Sequence, residues 1–131
     1  MGYTSDVVIA VHKEVMVKRL IHGKQTPKPL TEATKTFTTE IAQYWVIQGW
    51  KWYESYPEIQ EINAFIDEVL EEDDVKYTTS GDVSWMISPM GAMRMGEDDH
   101  DVQEWGDPSE YGIGLSRFID FPKREEQPCA T

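Results

Sequence analysis

YWVIQGWKWYESYPEIQEINAFIDEVL, residues 44–70, carries an aromatic strand straight into an amphipathic helix, and its reading decides the fold. Between residues 44 and 53, apolar side chains fall on both parities. Tyr44, Val46, Trp50 and Trp52 take one, and Trp45, Ile47 and Tyr53 the other, as in a strand covered on both faces. Gly49 marks a bulge or a close approach of backbone, because a glycine otherwise weakens a strand. Ser55 and Glu58 have the S-x-x-E spacing of a capping box, and Pro57 suits a first helical turn. Beyond them Ile59, Ile62, Phe65, Ile66, Val69 and Leu70 repeat at helical spacing, while Glu58, Glu61, Asp67, Glu68 and Glu71 take the opposite face.

Working outward, residues 3–11 (YTSDVVIAV) read as a first strand, and the unbroken apolar run from Val7 to Val11 makes it central. Residues 12–21 predict a short helix with Val15, Met16 and Leu20 inward, Lys13, Lys18 and Arg19 solvated, and Gly23 as its stop. Residues 24–43 contain Pro27 and Pro29, which call for a turn or an extended linker. The passage TKTFTTEIAQ then either lengthens the next strand or forms a hairpin with it. After the main helix, residues 75–80 and 83–87 pair as a hairpin around Gly81 and Asp82. Pro89 and Gly91 then interrupt, and residues 92–95 resume a strand ending at Gly96. Residues 97–110 read as one acidic loop and residues 111–121 as a last strand. The expected fold is α+β: a mostly antiparallel sheet of four to six strands, with one long and one short helix packed on one face. Residues 1–122 form a single domain, and residues 123–131 a flexible polar tail.

The 131 residues include 11% aromatics, enough to build a core. No apolar run approaches the roughly 18 residues of a bilayer span and no signal-peptide pattern opens the chain, so a cytoplasmic protein without membrane contact is expected. The single cysteine, Cys129, cannot form an internal disulfide. The net charge is −12, unevenly spread: residues 1–40 carry six Lys/Arg against four Asp/Glu, and residues 54–110 two against seventeen. Such a surface repels nucleic acid and favours a basic partner, although acids of this kind also serve solubility alone.

No residue set has a recognised catalytic spacing, so no enzyme and no cofactor are expected. The loop Glu97, Asp98, Asp99, His100, Asp101 and Glu104 offers the carboxylates that hard cations want, but lacks the glycine and terminal bidentate acid of a calcium loop. Zinc would need more His or Cys, and no metal site is assigned. His100 among acids is held protonated, which makes it a poor general base. Gly112 and Gly114 lie in a strand pattern with no helix behind them, so they cradle no phosphate.

Four stretches share a further property. The start Tyr3-Thr-Ser-Asp-Val, the helix entry Lys51-Trp-Tyr-Glu-Ser-Tyr-Pro, the loop Arg94-Met-Gly-Glu-Asp and the ending Ser116-Arg-Phe-Ile together resemble a family of small, mostly uncharacterised tailed-phage proteins. The threonine-rich insert and the PMGAM stretch depart from that pattern. The resemblance implies no active residue. It implies a setting, an infected bacterial cell, in which small acidic phage proteins bind and disable host factors, defence components among them. The first expectation is therefore a non-enzymatic inhibitor of a basic or nucleic-acid-binding host protein, acting as a nucleic-acid mimic through Glu68, Glu71, Glu72, Asp73, Asp74, Glu97, Asp98, Asp99 and Asp101 and not binding nucleic acid itself. The alternative is a sponge for a nucleotide signal, a homo-oligomer in many such cases. Its pocket would be lined by Trp50, Trp52, Tyr53 and Tyr56, with Lys18, Arg19, Arg94 or Arg117 on the phosphates. A metal-dependent hydrolase at the acidic loop is a weaker third.

Overall fold

The computed structural model describes residues 3–78, 81, 83–98, 100–115 and 119–122. Strand β1 (Ser5–His12) runs into helix α1 (Lys13–Ile21), and a 3-10 turn at Lys28–Glu32 precedes β2 (Lys35–Thr38) and β3 (Ala42–Trp50). Helix α2 (Pro57–Leu70) follows, then β4 (Val75–Thr78), β5 (Ser84–Ile87), β6 (Met90–Gly96) and β7 (Val102–Gly106). A second 3-10 turn at Pro108–Tyr111 leads to the two-residue strands β8 (Gly114–Leu115) and β9 (Ile119–Asp120). The main sheet has the order β2-β3-β1-β6-β7 and is antiparallel throughout. The fold is thus α+β, with β1 central as its apolar run requires.

Both faces of the sheet are covered, which explains the apolar residues on both parities of β3. Ile9, Trp45 and Ala92 lie side by side in register, and the Trp45 ring meets Phe65 of α2 edge to face at 5.9 Å. Helix α1 shares that face, since the Arg19 guanidinium lies 4.8 Å over the Phe65 ring. On the other face Ala10, Tyr44 and Gly91 are in register. Phe37 stacks on Tyr44 at 4.7 Å, and the Tyr44 hydroxyl donates to the Tyr111 carbonyl at 2.5 Å. The Tyr111 hydroxyl in turn donates to the Ser88 carbonyl. Burial pushes the Tyr44 hydroxyl up to about 12 and raises that of Tyr111 as well, so both stay protonated donors. Gly49 does form a bulge. Its φ is +72°, its N–H donates to Asp6 Oδ1 at 2.9 Å, and the register between β1 and β3 shifts beside it.

Several local expectations are corrected. The capping box is not made: α2 begins at Pro57 with Tyr56 as N-cap and no side-chain cap. Tyr56, standing before a proline, is extended (φ −78°, ψ 132°), so the first turn cannot reach back to Ser55. Leu70 ends the apolar series half out in water. On α1 the expected faces are partly exchanged, with Arg19 buried and Leu20 exposed. The 24–43 segment resolves as a hairpin, β2 on β3. Gly91 does not interrupt a strand but sits inside β6. A Cβ there would lie 2.6 Å from the Asp107 carbonyl oxygen, so the glycine lets the second 3-10 turn pack against the sheet. The acidic loop is shorter than expected, because Val102–Gly106 is the edge strand β7. The last strand is instead a 3-10 turn, Gly112 in the left-handed region (φ +71°) and the small β8–β9 hairpin. The polar tail 123–131 lies outside the described residues.

His12 ends β1 and caps α1, its Nδ1 accepting the Glu14 N–H at 3.0 Å. Burial is the main cause that holds its imidazole below the usual histidine range, with Lys13 adding to it. A depressed histidine contributes stability that is fully present above its unfolded value near 6.5 and is lost as pH falls through the lower folded value. Urea titrations between pH 7.5 and 5 should therefore show stability falling in the wild type and a flatter profile in His12→Asn, which keeps a capping acceptor without titrating. Separately, Gly91→Ala should cost about 1–3 kcal/mol in the same assay through the clash with residues 107 and 108.

Candidate functional site

The residues singled out by sequence divide between the two ends of the central strand, about 23 Å apart for eight extended residues. At the Ser5 end, β1, β3 and β6 finish together and a polar clasp forms. Arg94 reaches Asp101 through Nη2 at 2.6 Å and Nη1 at 3.2 Å, Ser5 Oγ at 2.9 Å and Gln103 Oε1 at 3.2 Å. Glu97 Oε2 accepts from the Thr4 N–H at 2.7 Å and the Thr4 hydroxyl at 2.9 Å. The Tyr3 hydroxyl accepts the Asp98 N–H, and the Tyr3 N–H donates to the Tyr53 hydroxyl. Asp98 Oδ1 accepts the His100 N–H. Three stretches distant in sequence thus meet in one clasp, through Tyr3 and Ser5, through Tyr53, and through Arg94, Glu97 and Asp98. The Arg94 guanidinium is the first cause holding the Asp101 carboxyl below its usual range, and the Thr4 N–H does the same for Glu97. These carboxylates hold loop 97–101 in place and point into the molecule's own contacts. Asp99 lies outside the described residues, and no group of three metal ligands converges among those described.

At the His12 end, α1 lies beside the C-terminal half of α2. Arg19 Nη1 meets Glu68 Oε1 at 2.9 Å and its Nη2 donates to the Gln25 carbonyl, while Lys18 Nζ meets Glu72 Oε1 at 2.7 Å. Those two cations are committed to the fold, which corrects the expectation that Arg19 is solvated. Both partner carboxyls, Glu68 and Glu72, are held below their usual range by these hydrogen bonds. The remaining acids of α2 and its following turn, Glu58, Glu61, Asp67, Glu71, Asp73 and Asp74, are exposed and form no ion pair with another described residue. Helix periodicity assigned Glu58, Glu61, Asp67 and Glu71 to the face away from the buried stripe of Ile59, Ile62, Phe65, Ile66 and Val69, and Asp73 and Asp74 follow the helix.

The aromatic set does not converge. Trp52 is buried and packs near Trp105, with ring centroids 6.5 Å apart, and Tyr53 meets Tyr56 edge to face at 5.2 Å. Trp50 alone lines an open groove of about 610 Å³, shared with Lys28, Pro29, Glu32, Pro57, Glu58 and Glu61, where three carboxylates oppose a phosphate. Arg94 is engaged in the clasp and Arg117 lies outside the described residues. Sequence reasoning missed two features: the groove walls supplied by the 3-10 turn, and the exposed apolar ridge Val17, Leu20 and Ile21 on α1. The spacing of 17, 20 and 21 was the signal for that ridge. It is hidden because Leu20, four residues after Met16, also fits the spacing of an inner face.

No protein-family model matches this chain, no curated protein matches it, and no solved structure matches it. No described helix is long and apolar enough to cross a membrane.

Acids that hold the structure and acids that do not should separate on mutation. Arg94→Leu should cost about 1–2 kcal/mol in urea unfolding, a discounted figure because Asp101 is 34% exposed and its contact partly screened. Glu71→Gln should stay within about 0.5 kcal/mol of wild type.

Proposed function

We propose that this chain is a non-enzymatic binding protein of phage origin that inhibits a host defence protein, presenting the outer face of α2 to a basic, nucleic-acid-binding target. The observation that carries this reading is the continuous acidic stretch from Glu58 to Asp74. It bears eight carboxylates and no Lys or Arg, and among the described residues only Glu68 and Glu72 form ion pairs. A helix of 14 residues is about 21 Å long, so with the turn behind it the six carboxylates outside those ion pairs give one negative charge per about 4–5 Å. One strand of DNA carries one per about 3.4 Å. A cleft built to track phosphates meets a comparable charge density on a rigid rod, the physical basis for nucleic-acid mimicry. Glu97, Asp98 and Asp101 contribute less, since their carboxylates are occupied in the clasp at the far end of the sheet.

Four acids at the C-terminus of α2, Glu71 to Asp74, oppose the helix macrodipole. A basic partner offsets that local cost on binding, and its approach is steered by the same field. The test begins with a pulldown from bacterial lysate at about 50 and about 300 mM salt. The captured target is then titrated with wild type and with the Glu58→Gln, Glu61→Gln, Asp67→Asn, Glu71→Gln variant. A basic target whose affinity falls at least tenfold in the variant and at high salt is the expected result. Binding indifferent to both would overturn the acidic-helix reading.

A further inference from the structure

Helix α1 exposes Val17 (52%), Leu20 (76%) and Ile21 (75%), the i, i+3, i+4 pattern of a helix seam turned to solvent. A groove lies on each flank of this ridge. The first, of about 400 Å³, separates α1 from the β2–β3 hairpin, with Met16, Val17 and Leu20 on one side and Thr38, Ala42 and Gln43 on the other. The second, of about 350 Å³, is bordered by Val17, Lys18, Ile21 and His22. A ridge with a groove on either side is the surface that one helix offers to another, whose own rows of side chains fill the grooves.

The charge around the ridge sets the sign of what it takes. In a molecule of net charge −12 the first groove has no carboxylate among its described lining residues, while Lys13, Arg19 and Lys24 all border it. Arg19 is held by Glu68 and the Gln25 carbonyl. Lys13 and Lys24 form no ion pair with another described residue, although the charge of Lys24 acts on Glu68 and Glu72 from a distance. In the second groove Glu14 is the one acid among the described lining residues, beside Lys13 and Lys18. Three exposed aliphatic side chains bordered by cations complement an apolar stripe bordered by carboxylates.

We infer that the α1 ridge docks an acidic amphipathic helix of another protein, whose apolar stripe lies over Val17, Leu20 and Ile21 and whose flanking carboxylates meet Lys13 and Lys24. Other occupants fit less of this surface. A second copy has an acidic amphipathic helix in α2, but the apolar stripe of that helix is buried in its own core. An anionic bilayer is wide enough to meet α2 beside α1, where Glu71 and its exposed neighbours repel it, whereas a helix about 10 Å across touches the rim alone. A small amphipathic anion fills one groove and leaves the other open. This docking is independent of the acidic-helix function, since it takes a partner of the opposite sign on a different helix.

The experiment titrates the full chain into a labelled synthetic peptide of about 18 residues, long enough to form a helix on binding, with leucine at i, i+3, i+4 spacing and glutamate between. A second peptide carries glutamine in place of glutamate, and fluorescence anisotropy reads both. The glutamate peptide should bind saturably and at least fivefold more tightly than the glutamine peptide, although the net charge of the chain works against it. Leu20→Ser with Ile21→Ser should weaken it at least tenfold, and Lys13→Glu with Lys24→Gln should reverse the order of the two peptides. Circular dichroism shows that each variant is folded. A glutamate peptide that fails to bind up to about 1 mM would overturn the proposal. So would one that binds no better than the glutamine peptide, or that binds the Leu20, Ile21 variant unchanged. Sedimentation equilibrium of the chain alone and co-sedimentation with phosphatidylglycerol vesicles test the other occupants. A dimer or a vesicle complex that the Leu20, Ile21 variant abolishes would give the ridge to a second copy or to a membrane, and overturn the proposal as well.

Discussion

Strand β1 buries every side chain but that of Asp6, which is half-buried, and it has a hydrogen-bonded neighbour on each edge. That single constraint arranges the rest. A strand apolar on both parities must be covered twice, so the helices take one face, and the chain after Gly106 returns across the other to place Tyr111, Ile113 and Ile119 on the sheet. The return has little room. It requires Gly91 on the sheet and two tyrosine hydroxyls that donate to backbone carbonyls.

Wherever a period was strong, the sequence was enough. The apolar series of α2, the run in β1 and the bulge at Gly49 follow directly from spacing and glycine chemistry. Signals failed where a local rule met a tertiary demand. Ser55 and Glu58 satisfy the capping pattern, but the proline between them fixes the backbone so that the helix starts after Ser55. Gly91 reads as a breaker, although its lack of a side chain is what allows it inside a strand. Val102–Gly106 carries too few apolar residues to stand out from its acidic neighbours, because an edge strand with one solvated side needs few. The site was legible as composition and illegible as geometry. The sequence shows how many acids there are, but only the structure shows that Arg94 takes Asp101, that Thr4 takes Glu97 and that α1 takes Glu68 and Glu72.

That partition changes the meaning of the net charge. Two of the six positive charges of the first 40 residues, Lys18 and Arg19, tie α1 to α2, and Arg19 does so while stacked on Phe65, where a lysine could not form the same planar contact. Negative charge left over after these pairings concentrates on the outer side of α2 and the turn behind it. A surface of one sign on a rigid helix has its backbone preorganised, so a cationic partner has only the side chains left to order.

The register of the central sheet also bears on the order in which the molecule can assemble. Val7 pairs with Ile47 on one side and with Arg94 on the other, so the strand made first gains its second neighbour only after most of the chain has been synthesised. Closing so long a loop is slow compared with forming α2 or the β2–β3 hairpin, which are local. During that interval the run VVIAV is a sticky, unpaired edge. On a ribosome, the early hairpin of β2 and β3 is what can shield one side of it while β6 is still to come.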